Sequence, residues 1–243
     1  MKAILTGHSK GLGLALGHEL LARHIPVLAI ARGQIDALAA TSHLCTELAL
    51  DLSDSTALAA WLATPALTSY LQSCTEILLI NNAGTVQPVG AMVDQDPAEV
   101  GRAVALNVAA PLMLAAAVVK AAAGRPCRIL HVSSGAGSGA YPGWSVYCAT
   151  KAALDHHARA AALDASPGVL ICSLAPGVID TAMQADIRAT PASRFPQRQR
   201  FVDLHASGQL SAPSDCARRL VDYLLADSFG RNSVDDLRSA GNS

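Results

Sequence analysis

Three side chains in the second half of the sequence could together move a proton onto a carbonyl oxygen. Tyr147 and Lys151 are four residues apart, which on a helix places them on one face, one turn apart. A free phenol has a pKa of about 10, and a neighbouring ammonium favours its phenolate, so this pair could donate or accept a proton. Ser134 ends a predicted strand, where its hydroxyl could polarise the same oxygen. Taken singly, each residue could equally be structural.

A glycine-rich loop near the start of the sequence could hold a dinucleotide. Residues 6–13 read TGHSKGLG, between an apolar strand and a helix. Glycine permits a tight turn, and a helix N-terminus offers N–H groups and a partial positive charge to a pyrophosphate. A plain turn at the end of a strand is the alternative. The residues of this loop that we expect to contact a dinucleotide are Gly7, Ser9, Lys10, Gly11, Leu12 and Gly13.

Two basic residues bear on which dinucleotide would bind. Arg32 follows the second predicted strand, where an NAD-preferring fold carries an acidic residue, and Lys10 lies within the glycine loop. Two cations near the adenosine ribose favour a 2′-phosphate, so we expect NADPH rather than NADH. Two solvated surface charges are the alternative. Asp51, at the end of the third strand, could accept from the adenine amino group or cap the next helix.

Strand-like and helix-like segments alternate along the chain. The predicted strands are 2–5, 26–31, 45–50, 76–80, 127–132 and 168–174, and the predicted helices are 11–23, 34–41, 55–62, 98–122, 145–165 and 214–225. Strands that are apolar on both faces and alternate with helices predict a parallel sheet covered by helices on both faces. We therefore expect an α/β protein, a single doubly wound Rossmann domain over residues 1–243. Residues 181–211, rich in Arg and Pro, interrupt the alternation and are interpreted as a substrate-covering lid.

Composition excludes several classes of protein. The formal net charge is −1 with scattered Lys and Arg, which argues against a dedicated nucleic-acid binder. Six cysteines without a CxxC pair predict neither a metal site nor a redox dithiol, and suit reduced thiols in a cytoplasm. We expect no secretory leader, and the apolar helix around residues 109–123 is too short to span a membrane. A soluble cytoplasmic protein with a small-molecule partner is expected.

The motifs occur in an order that resembles the short-chain dehydrogenase/reductase family. TGxxxGxG, NNAG at residues 81–84, Ser134 and YxxxK follow one another across most of the chain. The resemblance implies that Asn107 is a fourth catalytic residue, which holds a water beside Lys151. It also implies a loop over the nicotinamide that begins at Pro176. The further cofactor contacts it implies are Leu52, Asn82, Ala83, Gly84, Tyr147, Lys151, Gly177, Ile179, Thr181 and Met183.

Four local features resemble the sepiapterin reductases and bacterial benzil reductases of that family. They are Gly143-Trp144, the run 176–184, the stretch 201–210 with Gly208, and Val234-Asp235. This resemblance implies substrate contacts from Gly177 and Asp235, with Asp236 as the alternative to the latter. Tyr141 and Trp144 could stack on a flat conjugated substrate, or could be core or interface residues.

The combined expectation is an NADPH-dependent carbonyl reductase that acts on a ketone or α-dicarbonyl. The alternatives are a 3-oxoacyl thioester reductase, an NADP-dependent alcohol dehydrogenase, and a catalytically silent NADP-sensing protein. Helices 98–122 and 145–165 are rich in alanine, which allows close helix packing within a monomer or at a subunit interface. Because family members pair through these helices, we expect a homodimer or homotetramer.

Overall fold

A seven-stranded parallel sheet organises the molecule. The computed structural model describes residues 1–33, 38 and 42–239. Within that part of the chain the sheet order is β3-β2-β1-β4-β5-β6-β7, with every neighbouring pair parallel. The strands are β1 (Lys2–Thr6), β2 (Val27–Ala31), β3 (Cys45–Ala49), β4 (Ile77–Asn81), β5 (Cys127–Val132), β6 (Val169–Ala175) and β7 (Val234–Asp236). The predicted α/β, doubly wound single domain is confirmed.

Helices cover both faces of this sheet. In the described residues they are α1 (Gly11–Ala22), α2 (Ser55–Leu62), α3 (Ala66–Tyr70), α4 (Pro97–Val104), α5 (Ala110–Ala122), α6 (Ser145–Leu163), α7 (Ala182–Ala189), α8 (Arg198–Ala206) and α9 (Pro213–Leu225). The carboxylate of Asp54 caps α2 by accepting from the N–H groups of Thr56 and Ala57. The predicted helix 34–41 lies outside the described residues except for Leu38, which is buried.

Two apolar cores lie on opposite faces of the sheet. On one face α1 and α9 pack together, with Leu16 and Leu220 fully buried against β1 and β4. On the other face α2, α3 and α5 bury Leu58, Leu67 and Leu114 against the same strands. Burial on both faces explains why the central strands read as continuous apolar runs, since neither face of the sheet meets water.

The longest helical stretch matches the predicted helix 98–122 to within one residue. Pro97–Ala122 is a continuous stretch of 26 residues, in which a π-helical turn (Ala105–Ala109) joins α4 to α5. By length and composition alone it could cross a membrane, so the expectation that it is too short was wrong. Core helices of soluble proteins meet the same criterion, and α5 contacts β4 and β5 and buries Leu114 and Val118.

The order of the strands determines where a ligand can bind. The chain runs outward from β1 to β3 and then returns to the middle of the sheet, where β4 pairs with the other edge of β1. The loops after β1 and β4 therefore diverge at the carboxyl edge of the sheet. In doubly wound sheets a crevice opens at this switch point.

Two regions differ from the predicted elements. The strand β7 was not predicted; it has only three residues, which pair with Ser173, Leu174 and Ala175 of β6. The segment 181–211 contains the helices α7 and α8, which contact each other. An isolated bridge pairs Ser211, the last residue of the segment, with Ile179, which lies two residues before its first.

Candidate active site

A cleft of about 790 Å³ opens at the switch point of the sheet. Its walls come from the glycine loop, from the loops after β2 to β6, from the start of α6, and from α7 and α8. The predicted residues that line it are Gly7, Ser9, Lys10, Gly11, Leu12, Gly13, Arg32, Asp51, Leu52, Asn82, Ala83, Gly84, Ser134, Tyr141, Trp144, Tyr147, Lys151, Gly177, Ile179, Thr181 and Met183. The fold thus brings nearly all of the predicted site residues into one continuous depression.

The glycine loop is closely packed at two of its glycines. Gly7 has a φ of +72°, and a Cβ there would lie 2.8 Å from the Cα of Ala83. A Cβ on Gly13 would overlap the carbonyl oxygen of Gly7. The first turn of α1 therefore lies directly on the loop, and the side chain of its N-cap residue, Lys10, does not cap it. The backbone N–H groups of this first turn, together with the glycine backbone of the loop, fit the pyrophosphate of a dinucleotide.

The loop after β4 holds the glycine loop in place. Thr6 Oγ1 accepts hydrogen bonds from the backbone N–H groups of Asn82 and Ala83, both at 3.0 Å. The amide Nδ2 of Asn82 donates to the carbonyl oxygens of Thr6 and Gly7, at 3.0 and 3.2 Å. The NNAG sequence therefore supports the cofactor loop through its backbone and one amide.

The outer end of the cleft carries the two predicted cations. Lys10 and Arg32 both line it and are exposed. Asp51 lies close to Arg32, and its carboxylate accepts from the N–H and hydroxyl of Ser53 at 2.9 and 2.7 Å. These two hydrogen bonds hold the pKa of Asp51 below its usual value, and the positive charge of Arg32 adds to the effect. Asp51 is not the cap of α2, a role that belongs to Asp54.

Tyr147 and Ser134 face each other across the inner end of the cleft. Ser134 follows β5 at the start of a short 3₁₀ turn and accepts from the N–H of Ala136 at 3.2 Å. Its side chain forms a hydrogen bond with Tyr147 that lowers the tyrosine pKa, but burial raises that pKa more strongly. The expected lowering by Lys151 is not observed: Ser134 is the group that lowers this pKa, and desolvation outweighs its effect. At neutral pH Tyr147 is therefore a phenol that can donate a proton.

Lys151 lies one helical turn beyond Tyr147 and is buried, with 5% exposure. Its Nζ donates to the carbonyl oxygen of Val132 at 2.7 Å and lies 5.7 Å from the centre of the Tyr147 ring. Burial lowers the pKa of the Lys151 amine to about 8, and the nearby carboxylate of Asp155 acts in the opposite direction. The ammonium therefore persists near neutrality and is lost as the pH rises through about 8.

Asn107 lies in the π-helical turn between α4 and α5 and is buried. Its Oδ1 accepts from the N–H of Thr85 at 2.9 Å, and its Nδ2 donates to the Thr85 carbonyl at 2.8 Å and to Thr150 Oγ1 at 3.1 Å. Thr150 in turn donates to the carbonyl of Tyr147 at 2.9 Å. π-Helical turns are frequent at functional sites, and this one links Asn107 to the helix that carries Tyr147.

Aromatic side chains form one wall of the cleft. Trp144 is 4% exposed and stacks on Phe195 with a centroid distance of 4.4 Å and an interplanar angle of 15°. Phe201 and Tyr141 each contact Trp144 at 5.4 Å. Trp144 is thus mainly a packing residue between the segment 181–211 and the body, whereas Tyr141 is the more accessible of the two rings predicted to stack on a substrate.

Asp235, which is predicted to contact the substrate, does not line the cleft. Asp235 Oδ2 accepts from the hydroxyl of Tyr223 at 2.9 Å and from Asn232 Nδ2 at 3.3 Å, on the side of β7 that faces α9. The alternative, Asp236, binds the guanidinium of Arg238, with Nε to Oδ1 at 2.9 Å. Arg238, which the sequence reasoning did not identify, lines the cleft beside Gly177. At this strand end Arg238 lines the cleft and is bound by Asp236, whereas neither of the two aspartates considered as substrate contacts lines the cleft.

Asp155 was also missed by the sequence reasoning. It lies four residues beyond Lys151 on α6, is 5% exposed, and binds side chains from β6 and from the loop after β5. An acidic residue on a long helix is normally solvated, so the sequence pattern alone favours an exposed position.

Comparison with known proteins identifies the family. The family model described as short chain dehydrogenase matches residues 1–192. The chain belongs to the short-chain dehydrogenases. A benzil reductase ((S)-benzoin forming) of Bacillus cereus is 32% identical over 240 residues, covering 95% of this chain and 96% of that protein. A sepiapterin reductase of Xenopus laevis is 32% identical and covers 93% of this chain and 92% of its own length.

A solved structure agrees with this assignment. A short-chain dehydrogenase/reductase from Burkholderia vietnamiensis is 50% identical, with a TM-score of 0.72, and the match covers 98% of this chain and 96% of that one. This short-chain dehydrogenase is thus an oxidoreductase that resembles benzil and sepiapterin reductases. Its family uses a nicotinamide dinucleotide, and the bare glycine loop with the cleft beyond it fits such a group.

Proposed function

We propose that this short-chain dehydrogenase is an NADPH-dependent carbonyl reductase that acts on ketones or α-dicarbonyl compounds. The observation that carries the proposal is the hydrogen-bonded pair Ser134–Tyr147 at the inner end of the cleft, with Lys151 one turn beyond. A reduced nicotinamide dinucleotide, with its pyrophosphate held by the glycine loop, would supply a hydride to the carbonyl carbon. The side chains of the protein then have to bind the oxygen and give it a proton.

Proton donation is the role proposed for Tyr147. Burial raises its pKa, so its hydroxyl is protonated at neutral pH and can serve as a general acid towards a developing alkoxide. Ser134 can donate a second hydrogen bond to the same oxygen and orient it. Lys151 places an ammonium near the phenol, so the phenolate left after donation is stabilised by the positive charge.

The preference for NADPH rests on the outer end of the cleft. Lys10 and Arg32 both line it, and a 2′-phosphate carries the charge and the acceptor oxygens that such cations bind well. Both hydrogen bonds from Ser53 go to Asp51 Oδ1, so Asp51 would accept from the adenine amino group through Oδ2. The benzil and sepiapterin reductase relatives support a carbonyl of a flat, conjugated molecule as the substrate. The exposed face of Tyr141 suits such a molecule.

The test is the variant Tyr147→Phe, assayed by oxidation of NADPH with sepiapterin, benzil, simple ketones and an acetoacetyl thioester. Loss of the proton donor is expected to lower kcat by about 10²–10⁴-fold. The dissociation constant for NADPH should stay within about tenfold of the wild-type value, because the loss of one hydrogen bond of about 0.5–1.5 kcal/mol is its largest expected effect.

Tyr70→Phe is the matched control for this experiment. It also removes a hydroxyl, one that donates to the carbonyl oxygens of Ala3 and Pro26 away from the cleft. It should lower the melting temperature and leave kcat unchanged. Retained turnover in Tyr147→Phe would refute the assignment of the proton donor. A preference for the thioester would favour a 3-oxoacyl reductase, and no turnover of any carbonyl with bound NADPH would favour an oxidative or a sensing role.

We also propose that the protein is a cytoplasmic homodimer or homotetramer. The six cysteines are free thiols, which suits a reducing compartment. Exposed apolar side chains lie on the helices expected to pair, with Val104 of α4 43% exposed and Leu163 of α6 86% exposed. Light scattering on the purified protein measures the oligomeric state directly.

A further inference from the structure

A buried carboxylate lies behind the catalytic pair, on the same helix. Asp155 follows Tyr147 by eight residues and Lys151 by four, so all three share one face of α6. It is 5% exposed. A carboxylate is costly to bury unless it is hydrogen-bonded, so its partners indicate what it does.

Both hydroxyl partners of Asp155 come from the sheet edge that builds the site. Ser133, one residue before Ser134, donates to Asp155 Oδ1 at 2.7 Å. Ser173 of β6 donates to the same oxygen at 2.7 Å. A Cβ on Gly137 would overlap the other oxygen, Oδ2, so the turn after Ser134 lies directly against the carboxylate. Asp155 therefore joins α6, β6 and the turn that carries Ser134.

The charge of Asp155 also acts on Lys151. Burial lowers the pKa of the Lys151 amine, and the carboxylate of Asp155 is the group that raises it again, leaving it at about 8. Lys151 Nζ bonds only to a neutral carbonyl, that of Val132, among the described residues. Among the described residues, Asp155 thus supplies the negative charge that acts on this buried amine.

We propose that Asp155 is a positioning residue of the reductase site, which aligns Ser134 with the Tyr147–Lys151 helix and keeps Lys151 in its ammonium form. For its catalytic consequence the proposal rests on the carbonyl reductase function proposed above. It assigns to the carboxylate two effects that can be separated, one on geometry and one on charge.

The other titratable groups around Lys151 and Asp155 do not supply the negative charge that Asp155 provides. On β5, His131 acts on Lys151, but burial lowers the pKa of His131 to about 3, so its ring is neutral in the working range. On β6, the thiol of Cys172 faces Asp155, and burial raises its pKa to about 11. The carboxylate of Asp235 on β7 acts on that same thiol and is bound by Tyr223. On α6 itself, the Tyr147 ring has its centre 5.7 Å from Lys151 Nζ.

The first test measures the charge of Lys151 without any turnover. The chain has four lysines, Lys2, Lys10, Lys120 and Lys151, so lysine labelled with ¹³C at Cε gives four resonances, and Lys151→Arg identifies the buried one. In the wild-type protein Lys151 should titrate near pH 8. In Asp155→Asn, which keeps the shape but removes the charge, the midpoint should fall by about one unit or more.

Ser173→Ala is the matched control. It removes one hydrogen bond to Asp155 but keeps the carboxylate charge, so the Lys151 midpoint should not move. An unchanged Lys151 midpoint in Asp155→Asn would overturn the proposal. If Asp155→Asn does not fold, the wild-type protein still decides, since the ¹³Cγ resonance of Asp155 must show a step at the Lys151 midpoint. Absence of that step would overturn the proposal as well.

The second test reads the same shift in catalysis. In the pH profile of kcat, the midpoint of the alkaline limb should lie near pH 8 in the wild type and about one pH unit lower in Asp155→Asn. At pH 8 that shift reduces the ammonium fraction from one half to about a tenth, so kcat should be about fivefold lower. A merely structural residue would lower kcat equally at all pH values, and that result would overturn the proposal. If no carbonyl is reduced, the function fails while the titration of Lys151 still stands.

Discussion

Burial, rather than the neighbouring ammonium of Lys151, determines the direction in which the pKa of Tyr147 shifts. Spacing alone correctly placed Tyr147 and Lys151 one turn apart, but it could not reveal how deeply each lies in the wall of the cleft. Desolvation raises the pKa of Tyr147 and lowers the pKa of Lys151. The two values, which are close together in free side chains, are thereby moved apart, and near neutral pH the phenol keeps the proton that it can donate.

Cofactor choice is also a property of single residues, and Arg32→Asp tests it. The change replaces a cation with the acidic residue that binds ribose hydroxyls in NAD-preferring folds. A hydrogen bond to a charged group contributes about 1.5–3 kcal/mol, so KM for NADPH should rise about ten- to hundredfold while KM for NADH falls.

The control for this change is Arg231→Asp, an identical charge reversal at an exposed position outside the cleft. It should leave both KM values close to wild type. An unchanged ratio of the two KM values in Arg32→Asp would mean that Arg32 is a solvated surface charge.

The sequence could not predict the positions of side chains that depend on contacts between different elements of the fold. Asp235 and Asp236 are adjacent in a three-residue strand, and only the pairing of β7 with β6 decides which way each points. Asp155 reads as a solvated helix residue until β6 and the turn after Ser134 are packed against it. Motif residues such as Tyr147 were predictable because their spacing within one element is enough to define their geometry.

Among the elements, the glycine loop and the loop after β4 work as one unit. Their contact is made by backbone on both sides, through Gly7, Gly13 and Ala83, and by the amide of Asn82. Sequence periodicity predicted the long strands and helices for the same reason that they form, since each buries a regular apolar face. It missed β7, which is too short to have a pattern, and the helices α7 and α8, which lie among prolines and arginines.

The close packing of the glycine loop makes Gly13→Ala a sharp test of the cofactor site. The added methyl group would overlap the Gly7 carbonyl, so the loop must move away from α1. We expect loss of NADPH binding by at least about tenfold and a destabilisation of about 1–3 kcal/mol from overpacking. Isothermal titration and thermal melting measure the two effects.

Gly33→Ala is the comparison variant for the glycine loop. Gly33 lines the same cleft, but a Cβ there would meet nothing within 4 Å. It should retain both the wild-type stability and NADPH binding. Equal NADPH affinity in the two variants would show that the loop does not hold the cofactor.

At the scale of the whole molecule, the segment 181–211 is attached to the body mainly through one aromatic cluster. Phe195 and Phe201 pack against Trp144, which precedes α6 and its catalytic tyrosine. A Cβ on Gly143 would overlap the carbonyl oxygen of Arg194, so backbone meets backbone beside the cluster. Sequence composition predicted a lid here, but its two helices and its anchoring depend on contacts across more than 40 residues of chain, which no local pattern carries.

Phe195→Ala should therefore release the lid segment selectively. Removing a fully buried ring costs about 3–5 kcal/mol, and here the lost contacts join the lid segment to Trp144. We expect trypsin to cut faster at Arg188, Arg194, Arg198 or Arg200, and KM for the carbonyl substrate to rise more than the dissociation constant for NADPH. Phe229→Ala removes an equally buried ring from the core between α9 and the sheet, so it should cost similar stability without exposing these sites. If both variants gave the same cleavage pattern and the same KM, the segment would be an integral part of the core and not a substrate-covering lid.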